Sequence, residues 1–562
     1  MLKLILSDKL YRLLFVLASL VYLIGLFYVP LMDVDATQYA SISLEMLRNG
    51  DFWHVFNHQK DYLDKPPLIF WLGSLSYKLF GVHPWSYRLP SFLFSLLGVY
   101  ATFRLGKLLY RDDVGLKAAL MLYTSQAMFL MNHDVRTDTI LTATIIFSTW
   151  QLAAFLQSGK FQNIVLGFMG LGLGMLEKGP LGLVVPALAI GTHILVRRDF
   201  RDILRWQWLA GLLITSVMLI PMCIGLYEQF DLHPEKLVNE RHGVSGLRFF
   251  FWEQSFGRIT GENVWKDDST VLFFTHTFIW SFLPWSILAT IAFFSRAISL
   301  VRLKFKSHNM EFMSFGGFLL PFVALSLSHY KLPHYVFVLY PFAALFTAAW
   351  LSEIEARGAG SLKNYWRVQF WVSLLIIILG LLINFWFFPI TRSPLSLLAA
   401  ILLLLVGFYF FLFKASEVSR KVYTFSAFAG ILLNFLLNAN FYPQLLKYQG
   451  GYAASEYLSG KAINQDNCFS LNETSFALDV NTGFNWIDGT PERIEYKIRE
   501  QPELWIFTTH DGYTFLKERY TILEFKSFEH FHVTELTLPF LNPASRPGVL
   551  GERCLVRIAP KK

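Results

Sequence analysis

The feature that most constrains this chain is the recurrence of apolar stretches long enough to cross a lipid bilayer. A helix of roughly 20 apolar residues crosses a hydrocarbon core about 30 Å thick. Thirteen stretches approach that length, and we expect the first to be a permanent span, since the basic segment before it carries no cleavage pattern. The stretches lie near residues 13–31, 89–110, 114–131, 139–157, 162–176, 181–196, 208–227, 271–293, 310–328, 335–351, 367–389, 394–413 and 422–441.

The composition excludes a soluble protein. Hydrophobic residues make up 54% of the chain and charged residues 16%, whereas soluble domains contain about 25% charged residues. We therefore predict a polytopic α-helical membrane protein in contact with membrane lipids. The net charge of +8 does not indicate a nucleic-acid partner, because Lys and Arg set the orientation of a membrane protein.

The basic residues predict that orientation. If the N-terminus is cytoplasmic, the inside loops carry clusters of Lys and Arg, whereas the short outside turns carry single ones. Thirteen spans then place the C-terminus outside. The inside positions are Arg111 and those within 197–201, 296–306 and 414–421, and the outside positions are Arg136, Lys178, Lys331 and Arg392.

Three segments between or after the spans are too long for simple turns. We call residues 32–88 the first loop, 228–270 the second loop and 443–562 the C-terminal segment. The C-terminal segment has a soluble-like composition, with a helix pattern near Pro491–Glu500 and a strand pattern at Leu504–Phe507. We predict a membrane domain, 1–442, and a small outer α/β domain, 443–562. Cys468 and Cys554 form either a disulfide or two buried thiols there.

Ionisable side chains at the membrane boundary are costly and are therefore candidates for function. In the first loop we predict a helix from Tyr39 to Leu47 that ends at Asn49-Gly50, with Asp35 or Thr37 as its N-cap in the simplest interpretation. Lys65 precedes two prolines that stiffen the chain, so its ammonium group suits a phosphate. The alternative is a lysine that extends toward lipid headgroups.

Three further polar clusters fall on the same predicted side of the membrane. They lie at 132–139, in the second loop and at 328–335. A capping role is the alternative for Asp138. We find no nucleotide-binding fingerprint and no zinc-ligand spacing, so a donor within the membrane is a better prediction than a soluble nucleotide.

As a set, these motifs resemble the lipid-dependent glycosyltransferases of the GT-C fold, a family that includes the bacterial aminoarabinose lipid A transferases and the protein O-mannosyltransferases. The resemblance covers about residues 1 to 350. The matching motifs are the segment from Asp35 to Ala40, Tyr62-Leu63-Asp64-Lys65-Pro66-Pro67-Leu68, Arg88-Leu89-Pro90-Ser91, Thr137-Asp138, Glu253 to Arg258, Leu283-Pro284-Trp285 and Lys331-Leu332-Pro333-His334-Tyr335.

The resemblance assigns roles to individual residues. It implies that Asp35 is the catalytic aspartate, with Asp138 as a second catalytic candidate, and that Lys65 and Arg258 hold the phosphate of a polyprenyl-phosphate sugar. The remaining candidates belong to the substrate pocket, and they are Tyr62, Asp64, Tyr335, Lys331 and Glu253.

The chain departs from the family pattern at three positions. Ala36 and Asp64 stand where a glutamate is common, and Gln254 stands where a histidine is usual. These changes affect the sugar and acceptor side of the site.

The resemblance also implies the reaction. An aminoarabinose-like sugar on undecaprenyl phosphate is transferred with inversion to a lipid A phosphate or to another lipid or protein acceptor at the periplasmic face of the bacterial inner membrane. No cofactor is required, although Asp33, Asp35, Asp134 and Asp138 are able to hold a divalent cation if they converge. The alternatives are a protein O-mannosyltransferase-like enzyme, a lipid flippase or transporter, and an outer-domain scaffold.

Overall fold

The protein is mostly helical, and a small sheet lies near its C-terminus. The computed structural model describes residues 1–255, 257–260, 269–302, 311–358, 362–413 and 417–561. Before residue 446 the α-helices are Leu2–Ser7, Lys9–Tyr28, Asp35–Asn49, Leu68–Phe80, Pro84–Leu109, Asp112–Tyr123, Gln126–His133, Thr137–Ser158, Phe161–Lys178, Leu181–Arg197, Gln207–Leu226, Gly246–Arg248, Gly257–Thr260, Phe273–Ser281, Ser286–Arg302, Met313–Ser326, Tyr340–Ala356, Lys363–Leu382, Pro394–Phe413, Val418–Leu436 and Tyr442–Leu445. Later α-helices are Gly450–Leu458, Phe476–Thr482, Pro491–Glu500, His510–Arg519 and Leu538–Leu541.

Many of these helices are able to cross a membrane. Within the described residues, seven are long and apolar enough, or eight if Asp112–Tyr123 and Gln126–His133, bent by 53°, form one span. Shorter apolar helices such as Leu181–Arg197 and Met313–Ser326 pack among them. The chain is a polytopic membrane protein, and each of the thirteen predicted stretches overlaps a helix. The count of thirteen spans stays a prediction.

Two helices near prolines differ from the sequence prediction. The stretch 271–293 is broken into Phe273–Ser281 and Ser286–Arg302, because Pro284 has no N–H to donate to a helix that runs through it. A helix that the sequence did not predict, Leu68–Phe80, begins immediately after Pro67. Its 13 residues are too few for a span, so hydropathy over a membrane-length window does not indicate it.

The first loop begins with a helix that is longer than predicted. The helix spans Asp35–Asn49 rather than Tyr39–Leu47, and no side chain caps its N-terminus. The expectation that Asp35 or Thr37 is the N-cap is therefore wrong. Asp35 lies in the first turn, where a carboxylate interacts favourably with the helix dipole. Gly50, at a φ of +68°, ends the helix as predicted.

Arg88 fixes the end of the first membrane helix to its neighbours. Its side chain is fully buried, and Nη1 donates to the carbonyls of Leu26 at 3.3 Å and Val29 at 2.5 Å. Nη2 donates to Pro30 O at 2.7 Å, and Nε donates to His133 O at 2.9 Å. One guanidinium thus satisfies four carbonyls that would otherwise lack partners away from water.

We expect Arg88→Met to lower the free energy of unfolding by about 3 kcal/mol or more. Each buried carbonyl left without a partner costs roughly 1–3 kcal/mol. The measurement is thermal unfolding in detergent, followed by intrinsic fluorescence. Arg111→Met is the control, because the Arg111 side chain is 58% exposed and pairs with Asp113 at the surface. Equal unfolding midpoints for the two variants would contradict the role given to Arg88.

A hairpin and a five-stranded sheet complete the fold. The hairpin, in the first loop, pairs β1 (Phe56–Asn57) with β2 (Lys60–Asp61). The sheet has the order β4-β3-β5-β7-β6; β3 is parallel to β4 and β5, and β7 is antiparallel to β5 and β6. Its strands are β3 (Cys468–Leu471), β4 (Ile487–Asp488), β5 (Leu504–Thr509), β6 (Thr521–His530) and β7 (Gly551–Ala559). All five lie in the C-terminal segment, where the predicted helix Pro491–Glu500 also forms.

The cysteines of the sheet are two buried free thiols. Cys468 is opposite Trp505 of β5, whereas Cys554 is opposite Thr508. The two thiols therefore lie at different levels of the sheet, on strands separated by β5, and the disulfide alternative is not realised.

Candidate active site

Asp35 lies in an ion-pair network built from residues distant in sequence. Arg136 Nη1 is 2.5 Å from Asp35 Oδ2, and Arg136 Nε is 3.0 Å from Asp134 Oδ2. Burial raises the pKa of Asp134, against the opposing effect of the guanidinium. One guanidinium thus orients two carboxylates at the start of the helix Asp35–Asn49.

Asp138 faces a lysine. The carboxylate is 1% exposed, and Lys178 Nζ donates to its two oxygens at 2.6 and 2.7 Å. Asp138 lies in the first turn of the helix Thr137–Ser158, for which Arg136 is the N-cap residue, so the capping alternative for Asp138 is wrong.

His334 links the two ion pairs. Its Nε2 is 3.6 Å from Asp138 Oδ2, and its Nδ1 is 3.3 Å from Arg136 Nη1. A continuous polar path therefore runs from Lys178 through Asp138, His334 and Arg136 to Asp35. Lys178 and His334 were not among the predicted site residues. The signal that would have found Lys178 is its position beside Glu177, between two short apolar stretches.

The polar path borders a cavity of about 630 Å³. The residues that line it include Asp35, Arg136, Asp138 and His334. Other wall residues, among them Val533, come from the C-terminal segment. This cavity, which we call the central cavity, combines charged groups with room for a large polar group.

A second cavity, the groove, is mostly apolar and has a polar end. Lys65, Lys178 and Tyr335 form part of the polar end, and Lys178 Nζ lies 4.2 Å from the centre of the Tyr335 ring. The apolar walls come from the helices Leu181–Arg197 and Met313–Ser326. This lining suits a ligand with an apolar chain and an anionic head.

Two of the remaining predicted residues, Tyr62 and Asp64, lie just before Lys65 in the first loop. Tyr62 is buried against the Phe70 ring, at 5.9 Å between centroids. The Asp64 carbonyl accepts a hydrogen bond from Gln254 Nε2, and Gln254 lines the groove. The first loop is thereby joined to the second loop beside Lys65.

Two predicted pocket residues make contacts elsewhere. Glu253 pairs with Arg241 at 3.2 Å and Arg248 at 3.4 Å, and Lys331 Nζ donates to Ser269 O at 3.1 Å. Neither lines the groove or the central cavity within the described residues. Arg258 belongs to the short helix Gly257–Thr260, and its side chain lies outside the described part of the chain.

The four aspartates proposed for a cation do not converge. Asp35 and Asp134 share Arg136, Asp138 binds Lys178, and Asp33 accepts a hydrogen bond from Thr37 Oγ1 at 2.6 Å. Burial raises the pKa of Asp33 to about 6. Among described residues, three possible ligand atoms within 4.8 Å of one another occur only at His510, Glu552 and Cys554, in the C-terminal segment.

Sequence comparisons relate the chain to known transferases. Residues 64–224 match the family model described as dolichyl-phosphate-mannose-protein mannosyltransferase. The undecaprenyl phosphate-alpha-4-amino-4-deoxy-L-arabinose arabinosyl transferase of Pseudomonas paraeruginosa is 26% identical over 367 residues, which is 63% of each chain. The protein of the same name from Pseudomonas aeruginosa (strain UCBPP-PA14) is 27% identical over the same length and shares. The chain thus spans less than two thirds of the length of these relatives.

Solved structures extend the likeness to nearly the whole chain. ArnT from Cupriavidus metallidurans bound to undecaprenyl phosphate aligns with a TM-score of 0.71 at 18% identity, over 91% of this chain and 96% of that one. Its apo state aligns with a TM-score of 0.71 at 17% identity, over 97% of both chains. The chain therefore has the fold of ArnT and is similar in sequence to the aminoarabinose transferases, which confirms the resemblance to lipid-dependent glycosyltransferases inferred from its motifs.

Proposed function

We propose that the protein is an inverting glycosyltransferase that moves an aminoarabinose-like sugar from undecaprenyl phosphate to a lipid A phosphate. The observation that carries this proposal is the arrangement of the two cavities. An apolar groove ends at Lys65 and Lys178, and Lys178 binds Asp138 of the charged central cavity. The lipid donor and the polar acceptor thus bind in two separate cavities, and the ion pair between Lys178 and Asp138 connects the two.

The groove suits the donor. A prenyl chain packs against its apolar walls, and the phosphate lies at the polar end against the Lys65 ammonium, beside Tyr335. Arg258 is a second phosphate ligand by resemblance. Preorganised cations at this position stabilise the charge that develops on the leaving phosphate in the transition state. Lys178, which the sequence did not indicate, supplies a further cation at the same end of the groove.

The central cavity suits the acceptor. Asp35 faces it, and Arg136 holds the carboxylate in place. An acceptor oxygen forms a bond to the anomeric carbon while the bond from that carbon to the phosphate oxygen breaks, and the electron pair leaves with undecaprenyl phosphate. A lipid A phosphate is already ionised, so Asp35 positions it; with a hydroxyl acceptor, Asp35 takes the proton. A single displacement of this kind inverts the anomeric centre and needs no cofactor.

The arrangement of the site also supports a proposal for the cellular location and the membrane orientation of the protein. We place the protein in the bacterial inner membrane with a cytoplasmic N-terminus and a periplasmic C-terminal segment. The distribution of Lys and Arg supports this orientation. The contribution of Val533 and neighbouring residues to the central cavity also supports it, because the C-terminal segment then lies on the side of the membrane where the acceptor is. We divide the chain into a catalytic membrane domain, 1–442, and an α/β domain, 443–562.

A protein O-mannosyltransferase-like activity is the second candidate. It is favoured by the family model matched at residues 64–224, a range that includes Lys65, Asp138 and Lys178. Three departures from the family pattern affect the choice between the two candidate functions. Ala36 follows Asp35 in the chain, Asp64 precedes Lys65, and Gln254 lines the groove.

One assay separates these functions. The purified protein in lipid nanodiscs receives undecaprenyl-phosphate aminoarabinose with either lipid A or a Ser/Thr-rich peptide, and products are identified by mass spectrometry. We expect the sugar on lipid A. Transfer to the peptide would favour the second candidate. Movement of the donor across vesicle membranes without any transfer would replace both with a flippase.

A further inference from the structure

The hairpin of the first loop is held at its tip by a buried carboxylate. His58 and Gln59 form the turn in the left-handed region, with φ of +52° and +63°. Their backbone N–H groups each donate to the Glu45 carboxylate at 2.8 Å. The turn is thereby fixed to the helix Asp35–Asn49, whose first residue faces the central cavity.

The same turn is bound by the C-terminal segment. His58 Nε2 is 2.7 Å from Asp479 Oδ2, and the two side chains are 6% and 0% exposed. Asp479 also accepts hydrogen bonds from Ser41 Oγ at 3.1 Å and from Trp486 N at 2.8 Å. A second carboxylate, of Asp488, lies 3.6 Å from His58 Nδ1. A buried ion pair thus joins two parts of the chain that are 421 residues apart.

His58 is charged in this setting. Burial by itself lowers the pKa of the imidazole, but the carboxylates of Asp479 and Asp488 outweigh that effect and raise the pKa of His58 to about 10. Because a buried charge that loses its partner is strongly destabilising, the pair resists opening. The hairpin tip therefore has one preferred position at neutral pH.

The base of the hairpin is fixed by the second loop. The Gln229 side chain donates to Val55 O at 2.9 Å and to Asp61 Oδ1 at 2.8 Å, and it accepts from Val55 N at 3.1 Å. Lys65 follows Asp61 by four residues. With the tip and the base both fixed, little freedom is left for the short connection that leads to Lys65.

We propose that His58 and Asp479 are positioning residues for Lys65. Through them the C-terminal segment holds the hairpin, and the hairpin holds the Lys65 ammonium at the polar end of the groove. This inference rests on the proposed function, in which Lys65 binds the donor phosphate. Misplacement of such a group by about 1 Å is enough to reduce a rate about 100-fold.

The test uses His58→Ala and Asp479→Asn in the full-length protein. We expect kcat/KM for the lipid donor to fall about 10- to 100-fold, with KM for the acceptor unchanged. In a Lys65→Ala background, His58→Ala should lower kcat/KM for the donor by less than about a further threefold. The effects of two substitutions that act through the same group are not additive. His510→Ala is the matched control, since it removes a histidine–carboxylate pair whose histidine is 64% exposed.

Two further measurements separate positioning from folding and from the proposed function. Hydrogen exchange of residues 56–65 should accelerate in both variants, while binding of undecaprenyl phosphate alone weakens about tenfold. If His58→Ala does not fold, Asp479→Asn, which nearly keeps the size of the side chain and removes its charge, carries the test. The proposal would be overturned if three quantities all stayed within twofold of the wild type: kcat/KM for the donor, the hydrogen-exchange rates of residues 56–65 and the affinity for undecaprenyl phosphate. If the wild type transfers no sugar, the proposed function fails, and exchange and binding still decide the role of His58.

Discussion

Asp35→Asn should reduce sugar transfer to lipid A by about 100-fold, the usual cost of losing a group that positions a reactant. With a hydroxyl acceptor, where Asp35 also takes the proton, the loss should reach as much as about 10,000-fold. The substitution keeps the size of the side chain but removes its negative charge and its ability to accept a proton. Arg136 keeps its 3.0 Å contact with Asp134, so we expect the fold of the site to survive. The measurement is kcat/KM with saturating acceptor in lipid nanodiscs, together with the thermal unfolding midpoint.

The matched control is Asp466→Asn. Asp466 is an exposed aspartate of the C-terminal segment, and we expect its variant to transfer sugar within about twofold of the wild type. The role of Asp35 would be refuted if Asp35→Asn retained more than a tenth of wild-type activity while showing the same unfolding midpoint. A lower midpoint with proportionally lower activity would instead indicate a structural role.

Lys65→Ala should reduce kcat/KM for the donor by about 100- to 1,000-fold, which is the usual cost of removing one preorganised group that stabilises developing negative charge. The loss should appear in the chemical step as well as in binding, because the phosphate gains charge as the sugar leaves. Lys65→Arg retains the charge but not the geometry of an ammonium, so we expect it to recover only part of the activity.

Lys78→Ala serves as the control for Lys65. Lys78 is an exposed lysine in the last turn of the helix Leu68–Phe80, which follows Lys65 in the chain. The measurements are steady-state kinetics and the dissociation constant of undecaprenyl phosphate. Equal donor affinities and rates for the two variants would show that Lys65 does not bind the phosphate.

The membrane helices were predictable because their cause is local. Backbone polar groups in lipid must be satisfied within the segment, so a long apolar stretch forms a helix whatever surrounds it. The break at Pro284 and the short helix Leu68–Phe80 were missed because hydropathy over a membrane-length window does not resolve them. The helix Pro491–Glu500 was found because its amphipathic pattern and Pro at the first position are local as well.

The site was predictable only in part. Polar residues at the membrane boundary pointed to Asp35, Lys65 and Asp138, but their partners are not local. Arg136 is 101 residues from Asp35, and Lys178 is 40 residues from Asp138. In the sequence, Arg136 and Lys178 contribute to the topology as single positive charges, and only the folded chain assigns them partners. His58 and Asp479 illustrate the same limit at greater separation.

The shared lysine has a thermodynamic consequence. Lys178 borders the groove and also neutralises Asp138, which is linked through His334 and Arg136 to Asp35. An anion in the groove that draws Lys178 toward itself leaves Asp138 with less compensating charge, and the potential in the central cavity becomes more negative. Linkage requires that the two ligands then change each other's affinity by the same factor. In the proposed reaction, release of undecaprenyl phosphate from the groove therefore raises the affinity of the central cavity for an anionic acceptor, and binding of the acceptor favours that release by the same factor.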